Sequence, residues 1–131
     1  MIVLDTHIWV DWVIGGEAAL PRSVVNAMQA ENRWTVSAIS CFEVSLLVKR
    51  GKLELPLPFA EWLIEATVKS NIESLPVTCE IARLSVSLAD IHRDPADRII
   101  IATAIAHNAK LASIDSVFPS YPELHNRLVG E

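Results

Sequence analysis

The sequence predicts an α/β fold in which a short parallel central sheet is flanked by helices. Two observations lead to this prediction. Short apolar runs, which are typical of buried strands, alternate along the chain with stretches of helical spacing. In addition, Asp94 and Pro95 form a helix start directly before the longest apolar helical stretch. Strands that alternate with helices pair in parallel and are covered on both faces, so a three-layer α/β/α arrangement is expected.

The first half of the chain begins with a strand at Ile2-Val3-Leu4 that ends at Asp5. Helices are predicted wherever apolar residues recur at intervals of three and four, and Gly15-Gly16 ends the first of them. The elements expected next are a helix through Ile8, Trp9, Trp12 and Val13, a helix containing Val24, Val25 and Met28, and a strand at residues 34–36.

The middle of the chain contains a predicted capping box. Ser40-Cys41-Phe42-Glu43 fits the S-x-x-E pattern, in which Ser40 would be the N-cap and Glu43 would lie in the first helical turn. Ile39 and Val44 stand where the accompanying hydrophobic contact would be. This helix is expected to reach Lys49, with Gly51 beyond its end.

The second half has one helix start that is predicted in detail. Asp94 is expected as the N-cap, Pro95 as the first helical residue and Asp97 as the third, and Asn108 is suited to end this helix in a left-handed conformation. The other expected elements are a helix with Phe59, Trp62, Leu63 and Ala66, a strand at residues 72–77, a helix with Ile81, Leu84, Ser85 and Leu88, and a strand at residues 110–114.

Length and composition limit the class of protein. The 131 residues predict a single domain, 1–131, and a composition that is 51% apolar excludes intrinsic disorder. The longest near-apolar run, residues 99–106, is too short to span a membrane, and no secretory signal is recognised, so a cytoplasmic location is expected. The net charge of −5 argues against a protein that coats nucleic acid with a basic surface. It leaves open an enzyme whose metal ions offset its carboxylates.

Four acidic residues are predicted to meet at one edge of the sheet. Asp5 and Asp115 end predicted strands, while Glu43 and Asp97 lie in the first turns of predicted helices. In a parallel sheet, strand ends and helix starts share the edge at which ligands bind. A cluster of carboxylate oxygens suits Mg²⁺ or Mn²⁺, and such ions activate water and clamp the oxygens of a phosphodiester. We therefore predict a metal site that acts on phosphodiesters.

Simpler structural roles exist for each of these residues. Glu43 could serve only the capping box, Asp97 could only complement the helix dipole, Asp115 could open a turn, and Asp5 could cap the first helix. Asp94 is expected to cap its helix with its carboxylate directed away from the metal. The hydroxyls of Thr6 and Ser113 adjoin the acids, where they can support a ligand or only close a turn. Possible RNA contacts are Arg93, Arg98 and Lys49.

Four sequence blocks resemble the PIN-domain ribonucleases, specifically the VapC-type toxins of type II toxin–antitoxin pairs. The third block matches an H-x-D-P-x-D-R pattern found in one subgroup, and the resemblance covers nearly the whole chain. The blocks are Val3-Leu4-Asp5-Thr6, Ser37-Ala38-Ile39-Ser40-Cys41-Phe42-Glu43, His92-Arg93-Asp94-Pro95-Ala96-Asp97-Arg98 and Leu111-Ala112-Ser113-Ile114-Asp115.

The resemblance implies a PIN-like fold and a Mg²⁺-dependent endoribonuclease that forms a homodimer and is neutralised by a cognate antitoxin. The acidic residues of the family map onto Asp5, Glu43, Asp97 and Asp115 as catalytic and metal-binding residues. Two departures are small. Ser113 stands where Thr is frequent, and Ala96 replaces a bulkier apolar residue.

Other functions are compatible with parts of this sequence pattern. A PIN nuclease could act in RNA processing without an antitoxin, and a binding module could hold RNA or protein without cutting it. An aspartyl-phosphate phosphatase also begins with a strand and an aspartate, but it needs a second aspartate where this chain has His7. Nucleotide hydrolysis by a P-loop is excluded, because no glycine-rich phosphate loop is present.

Two aromatic helix faces have two possible interpretations. Trp9, Trp12 and Val13 share one face, and Phe59, Trp62 and Leu63 share another. Both faces could be core, since tryptophan is usually well buried. Alternatively, they could line an open groove that accepts an antitoxin segment.

Overall fold

A parallel sheet of five strands lies at the centre of the protein, in a computed structural model that describes residues 1–91 and 93–130. Short 3-10 turns occupy Gly16–Ala19, Phe118–Ser120 and Pro122–Leu124. In chain order, the strands and helices are β1 (Ile2–Leu4), α1 (Thr6–Gly15), α2 (Arg22–Gln29), β2 (Trp34–Ser37), α3 (Ala38–Lys49), α4 (Phe59–Ala66), β3 (Ile72–Leu75), α5 (Cys79–Ser87), α6 (Pro95–Ala106), β4 (Lys110–Ala112) and β5 (Leu128–Val129).

The strand order is β3-β2-β1-β4-β5, so β1 lies in the middle of the sheet. Val3 pairs with Thr35 on one side and with Leu111 on the other. The predicted strands are present: β1 has the predicted bounds, β2 extends one residue further to Ser37, and β3 and β4 are shorter at their carboxyl ends, stopping before Pro76 and at Ala112. The two-residue strand β5, which pairs with β4, was not predicted.

Two hydrophobic cores cover the two faces of the sheet, which confirms the three-layer α/β/α prediction. Ile2 and Leu4 point into a core formed with α1 to α4, whereas Val3 points into a core formed with α6 and the C-terminal segment. This division follows from the alternation of side chains along a strand. All three strand residues are fully buried, which fixes β1 and the start of α1 in the interior.

The aromatic faces of α1 and α4 pack against each other, so Trp9 and Trp62 do not line an open groove. Trp9 and Trp62 are 0% and 1% exposed, and their ring centroids lie 5.1 Å apart. The Trp9 indole donates to the carbonyl of Ala66 at 2.9 Å. Trp12 is half-buried and packs edge-on against Trp34. The core interpretation therefore holds for Trp9 and Trp62, because both rings are buried and pack against each other.

The longest described helices are α3 and α6, with 12 residues each. Within residues 1–91 and 93–130, no helix combines the length and the apolar character that crossing a membrane requires.

Candidate active site

Asp5 links the central strand to the first helix. It follows β1 directly and is the N-cap of α1, where its Oδ1 accepts a hydrogen bond from the backbone N–H of Ile8 at 2.9 Å. Only 6% of the residue is exposed. Burial raises the pKa of Asp5 above its ordinary value, while hydrogen bonds from Ser113 and Ile8 act in the opposite direction. Asp5 is thus a helix cap and also a buried acid at the carboxyl edge of the sheet.

The predicted capping box at Ser40 is wrong. Helix α3 begins at Ala38, and its N-cap is Ser37, whose hydroxyl accepts from the backbone N–H of Ile39 at 3.2 Å. Ser37 is also the last residue of β2, so the chain passes from strand to helix without a loop. Glu43 consequently lies in the second turn of α3 and cannot act as a first-turn capping partner.

The hydroxyl of Ser40 belongs to a buried chain of hydrogen bonds that reaches Glu43. Thr6 Oγ1 lies 2.8 Å from Ser40 Oγ and 2.5 Å from Glu43 Oε1. Ser40 and Thr6 are 0% and 4% exposed. Because a hydroxyl has one proton and an ionised carboxylate only accepts, Thr6 donates to Glu43 when that group is charged. These contacts fix the Glu43 side chain relative to the start of α1.

Burial raises the pKa of Glu43 above its ordinary value. The hydrogen bond from Thr6 opposes this shift, whereas the negative charges of Asp94 and Asp5 add to it. A carboxylate held near two others is destabilised in its charged form, and a bound cation relieves that repulsion.

The start of α6 is formed as predicted. Asp94 is the N-cap and accepts from the backbone N–H of Ala96 at 3.0 Å, Pro95 is the first helical residue, and Asp97 lies in the first turn. His92, which begins the third sequence block, lies outside the described residues. The cap and the acid therefore share one helix end, where the helix dipole favours negative charge.

Three carboxylates come together at this helix end. One oxygen from each of Glu43, Asp94 and Asp97 lies within 4.8 Å of the other two, and we call these residues the three-carboxylate cluster. The carboxylate of Asp94 was expected to point away from the metal, but one of its oxygens lies beside those of Glu43 and Asp97. A capping carboxylate has two oxygens, so one can meet a backbone amide while the group remains beside Glu43 and Asp97.

Asp115 lies apart from the three-carboxylate cluster, as does Asp5. It follows the end of β4 by three residues, and its Oδ1 accepts from the backbone N–H of Val117 at 2.9 Å, which closes a turn. Its charge still raises the pKa of Asp5. Ser113 lies between the two acids, since its hydroxyl bonds to Asp5 and accepts from the N–H of Asp115 at 3.1 Å. The four predicted acids thus share one edge of the sheet but divide into two groups.

The donor set of the three-carboxylate cluster fits a hard divalent cation. All three side chains offer oxygen, the ligand that Mg²⁺ and Mn²⁺ prefer, and none offers the sulfur or imidazole typical of structural zinc. Burial raises the pKa of Glu43, the charge of Asp94 adds to this shift, and a bound cation would relieve that repulsion.

Arg98, one of the candidate RNA contacts, has a structural role. Its guanidinium donates to the carbonyls of Ser85, Leu88 and Ala89 at 3.0, 2.8 and 2.9 Å. These carbonyls lie at and beyond the carboxyl end of α5, so Arg98 ties the end of α5 to the start of α6.

The other two candidate RNA contacts remain on the surface. Arg93 is exposed directly before Asp94 and lines a surface pocket of about 390 Å³ with Val86 and Pro95. Lys49 is exposed at the far end of α3, and its backbone lies about 9 Å along the helix axis from that of Glu43. Arg93 is therefore the basic residue nearer in sequence to the three-carboxylate cluster.

Glu123 is a positioning residue that the sequence did not reveal. Its Oε2 accepts from the backbone N–H of Ala89 at 2.9 Å, while Arg98 binds the carbonyl of the same residue. The segment between α5 and α6 is therefore held on both sides. No sequence signal could have found this contact, because Glu123 lies in a 3-10 turn 34 residues away.

Comparison with known proteins places this fold and site in a family. The sequence profile of the PIN domain matches residues 2–124. Ribonuclease VapC22 of Mycobacterium tuberculosis is 30% identical over 115 residues, which cover 87% of this chain and 86% of the relative. The profile match includes the carboxyl edge of the sheet with its acidic residues.

Two solved structures share the fold at lower identity. A toxin–antitoxin complex from Klebsiella pneumoniae is 23% identical, with a TM-score of 0.64 and 94% of each chain covered. VapBC2 from Rickettsia felis, bound to a DNA fragment from its promoter, is 21% identical, with a TM-score of 0.68 and coverage of 98% of this chain and 97% of the other. With the profile match and the VapC22 identity, these findings show that the chain belongs to the PIN domain family, in its VapC branch.

Proposed function

We propose that this protein is a Mg²⁺-dependent endoribonuclease toxin of the VapC type, which hydrolyses RNA phosphodiester bonds and is neutralised by an antitoxin. The observation that carries the proposal is the three-carboxylate cluster, in which Glu43, Asp94 and Asp97 bring oxygens within 4.8 Å of one another. The membership of the chain in the PIN family and its 30% sequence identity to a ribonuclease support the same activity.

Metal binding is assigned to the acids of the carboxyl edge. Glu43 and Asp97 are the central ligands, Asp5 and Asp115 are the outer ones predicted from the sequence, and Asp94 is added by its position in the three-carboxylate cluster. A bound Mg²⁺ or Mn²⁺ would supply a nucleophilic water at neutral pH and stabilise the charge on the phosphate and its leaving oxygen.

The residues of the chain prepare this site in three ways. Thr6 orients Glu43 by a hydrogen bond, and Ser113 with the N–H of Ile8 orients Asp5. Arg98 and Glu123 hold Ala89, in the segment that precedes Asp94 and Asp97. Because these supports are buried or part-buried, the acids are held in place before a ligand arrives, which lowers the cost of ordering them on binding.

RNA binding must depend on local basic groups, since the overall charge is negative. Neutralising the four acids predicted from the sequence changes the formal charge from −5 to −1. Arg93 is assigned to a phosphate beside the three-carboxylate cluster, and Lys49 to a more distant one. Such contacts make affinity depend on salt concentration.

An antitoxin partner is part of the proposal, as is a homodimer. The antitoxin is supported by the two structural neighbours, one named a toxin–antitoxin complex and the other VapBC2. Exposed apolar residues outside both cores, such as Phe42 at 60% and Val86 at 79%, offer surface for protein contacts. We also propose a cytoplasmic location, because the proposed substrate is cellular RNA.

The purified protein incubated with a total RNA preparation tests the activity. We expect cleavage with Mg²⁺ or Mn²⁺, no cleavage after addition of EDTA, and no cleavage by Asp97→Asn with either ion. Asp11→Asn is the matched control, because Asp11 is an exposed aspartate on α1 outside the three-carboxylate cluster. Full cleavage in EDTA, or by Asp97→Asn, would contradict the proposal.

A further inference from the structure

A pocket of about 400 Å³ opens beside the acidic edge, between the residues that follow β4 and the end of β5. We call it the β4–β5 pocket. Its apolar lining comes from Ile114, Pro119 and Leu128, and its polar lining includes Ser116 and Asp115. Its volume falls within the range of roughly 300–1,000 Å³ that is usual for small-ligand sites.

The β4–β5 pocket shares a wall with the acid site. Ser113 lines the pocket and also bonds to Asp5, the buried acid that caps α1. Asp115 lines the pocket and is close enough to Asp5 for its charge to raise the pKa of that group. A ligand in the pocket would therefore lie beside Asp115 and beside Ser113, the residue that bonds to Asp5.

Part of the pocket lining is formed where the backbone of Gly130 packs closely on the backbone of Ser113. Gly130 has φ of 137°, and a Cβ at this position would lie 2.1 Å from the carbonyl oxygen of Ser113. No residue other than glycine fits there. The lining also has an accessible apolar part, since Ile114 is 52% exposed although a large aliphatic side chain is normally buried.

We propose that the β4–β5 pocket receives one unstacked nucleobase of the RNA, next to the phosphate that is cleaved. A nucleobase has two apolar faces and a polar edge, and this matches a site with aliphatic walls and hydroxyl and carboxylate groups at the rim. Enzymes that hold an extruded base combine apolar stacking with hydrogen bonds to the edge in this way. The inference rests on the proposed ribonuclease activity and names the part of its substrate that the pocket binds.

A double-mutant cycle between the protein and the RNA tests the inference. The probe is a short single-stranded RNA that wild-type protein cleaves at one position, prepared as a series in which each nucleotide in turn is abasic. The protein variant is Ile114→Ser. The matched control is Ile64→Ser on α4, because Ile64 has the same exposed fraction of 52% but does not line the pocket.

We expect one abasic position near the cleaved bond to raise KM of the wild type about 10-fold, since loss of a stacked base costs roughly 1–3 kcal/mol. Ile114→Ser should raise KM for the intact RNA by a similar factor. The two changes should not multiply when combined at that position, because both remove the same contact. Ile64→Ser should leave KM unchanged.

Several outcomes would overturn the inference. If the effects of Ile114→Ser and of every abasic position multiply, the pocket does not hold a base. If Ile114→Ser leaves KM unchanged but weakens inhibition by the antitoxin, the pocket takes a protein segment. Ser116→Phe, which narrows the pocket from its exposed rim, provides a second variant and should also raise KM. If wild-type protein cleaves none of the RNAs, the ribonuclease proposal itself fails.

Discussion

Two aspartates begin two helices at the same edge of the sheet, yet the protein holds them differently. Asp5 caps α1 and is 6% exposed, whereas Asp94 caps α6 and is exposed. Burial raises the pKa of Asp5, and its carboxylate is fixed by Ser113 and the N–H of Ile8. Asp94 accepts a hydrogen bond from the backbone N–H of Ala96, and the segment before it is held at Ala89 by a clamp of Arg98 and Glu123. One local motif thus produces a rigid buried acid at one helix and an accessible member of the three-carboxylate cluster at the other.

The largest expected effect is loss of activity when either group of acids is neutralised. Asp5→Asn, Glu43→Gln and Asp97→Asn should each lower kcat/KM for RNA cleavage by more than about 100-fold, because a ligand contributes more than the 10–100-fold typical of its supporting residues. The amides keep volume and, at Asp5, the helix cap. If Asp5→Asn kept near-normal activity while Asp97→Asn was inactive, cleavage would require the three-carboxylate cluster but not Asp5.

The next effect separates capping from metal binding at Asp94. Asp94→Asn should weaken Mn²⁺ binding roughly 10–100-fold, measured by calorimetric titration, while the melting temperature stays unchanged because asparagine also caps helices. Asp94→Ala should in addition lower the free energy of unfolding by about 1 kcal/mol. Unchanged Mn²⁺ affinity in Asp94→Asn would show that Asp94 is only a cap, as the sequence suggested.

The clamp that Arg98 and Glu123 form at Ala89 can be tested by measuring the free energy of unfolding. Arg98→Lys removes the guanidinium group that donates to the carbonyls of Ser85, Leu88 and Ala89. A hydrogen bond from a charged group contributes about 1.5–3 kcal/mol to stability. We expect a loss of that order in urea denaturation. Arg93→Lys serves as the control, since Arg93 is an exposed arginine of the same segment. An equal loss in both variants would argue against the clamp.

The smallest effect concerns the pH dependence of stability at Asp5. Because burial raises its folded-state pKa above the ordinary value of 3.8, Asp5 contributes stability below that value and loses it as pH rises through the folded-state pKa. In EDTA, Asp5→Asn should therefore melt above wild type at neutral pH. The difference should shrink as pH is lowered toward 4, as thermal denaturation at several pH values would reveal. A difference that does not change with pH would contradict the assignment.

Local patterns in the sequence were sufficient to predict most elements of the fold. The spacing of Val24, Val25 and Met28 predicted α2, and all three are buried. Asp94-Pro95 predicted the start of α6, and Asn108 has the left-handed φ of 51° expected after its end. These predictions succeed because caps and helical periodicity involve residues within one or two turns of each other.

Contacts between distant residues could not be predicted in the same way. Ser40 matched a capping box, but the start of α3 was decided by Ser37, and the Ser40 hydroxyl lies beside Thr6, 34 residues away. The sequence placed Asp5, Glu43, Asp97 and Asp115 at one edge of a parallel sheet, which the strand order explains. Which oxygens lie within 4.8 Å, and that Asp94 is among them, depends on how α3 and α6 pack, and Ile39 of α3 lies against the core that contains α6.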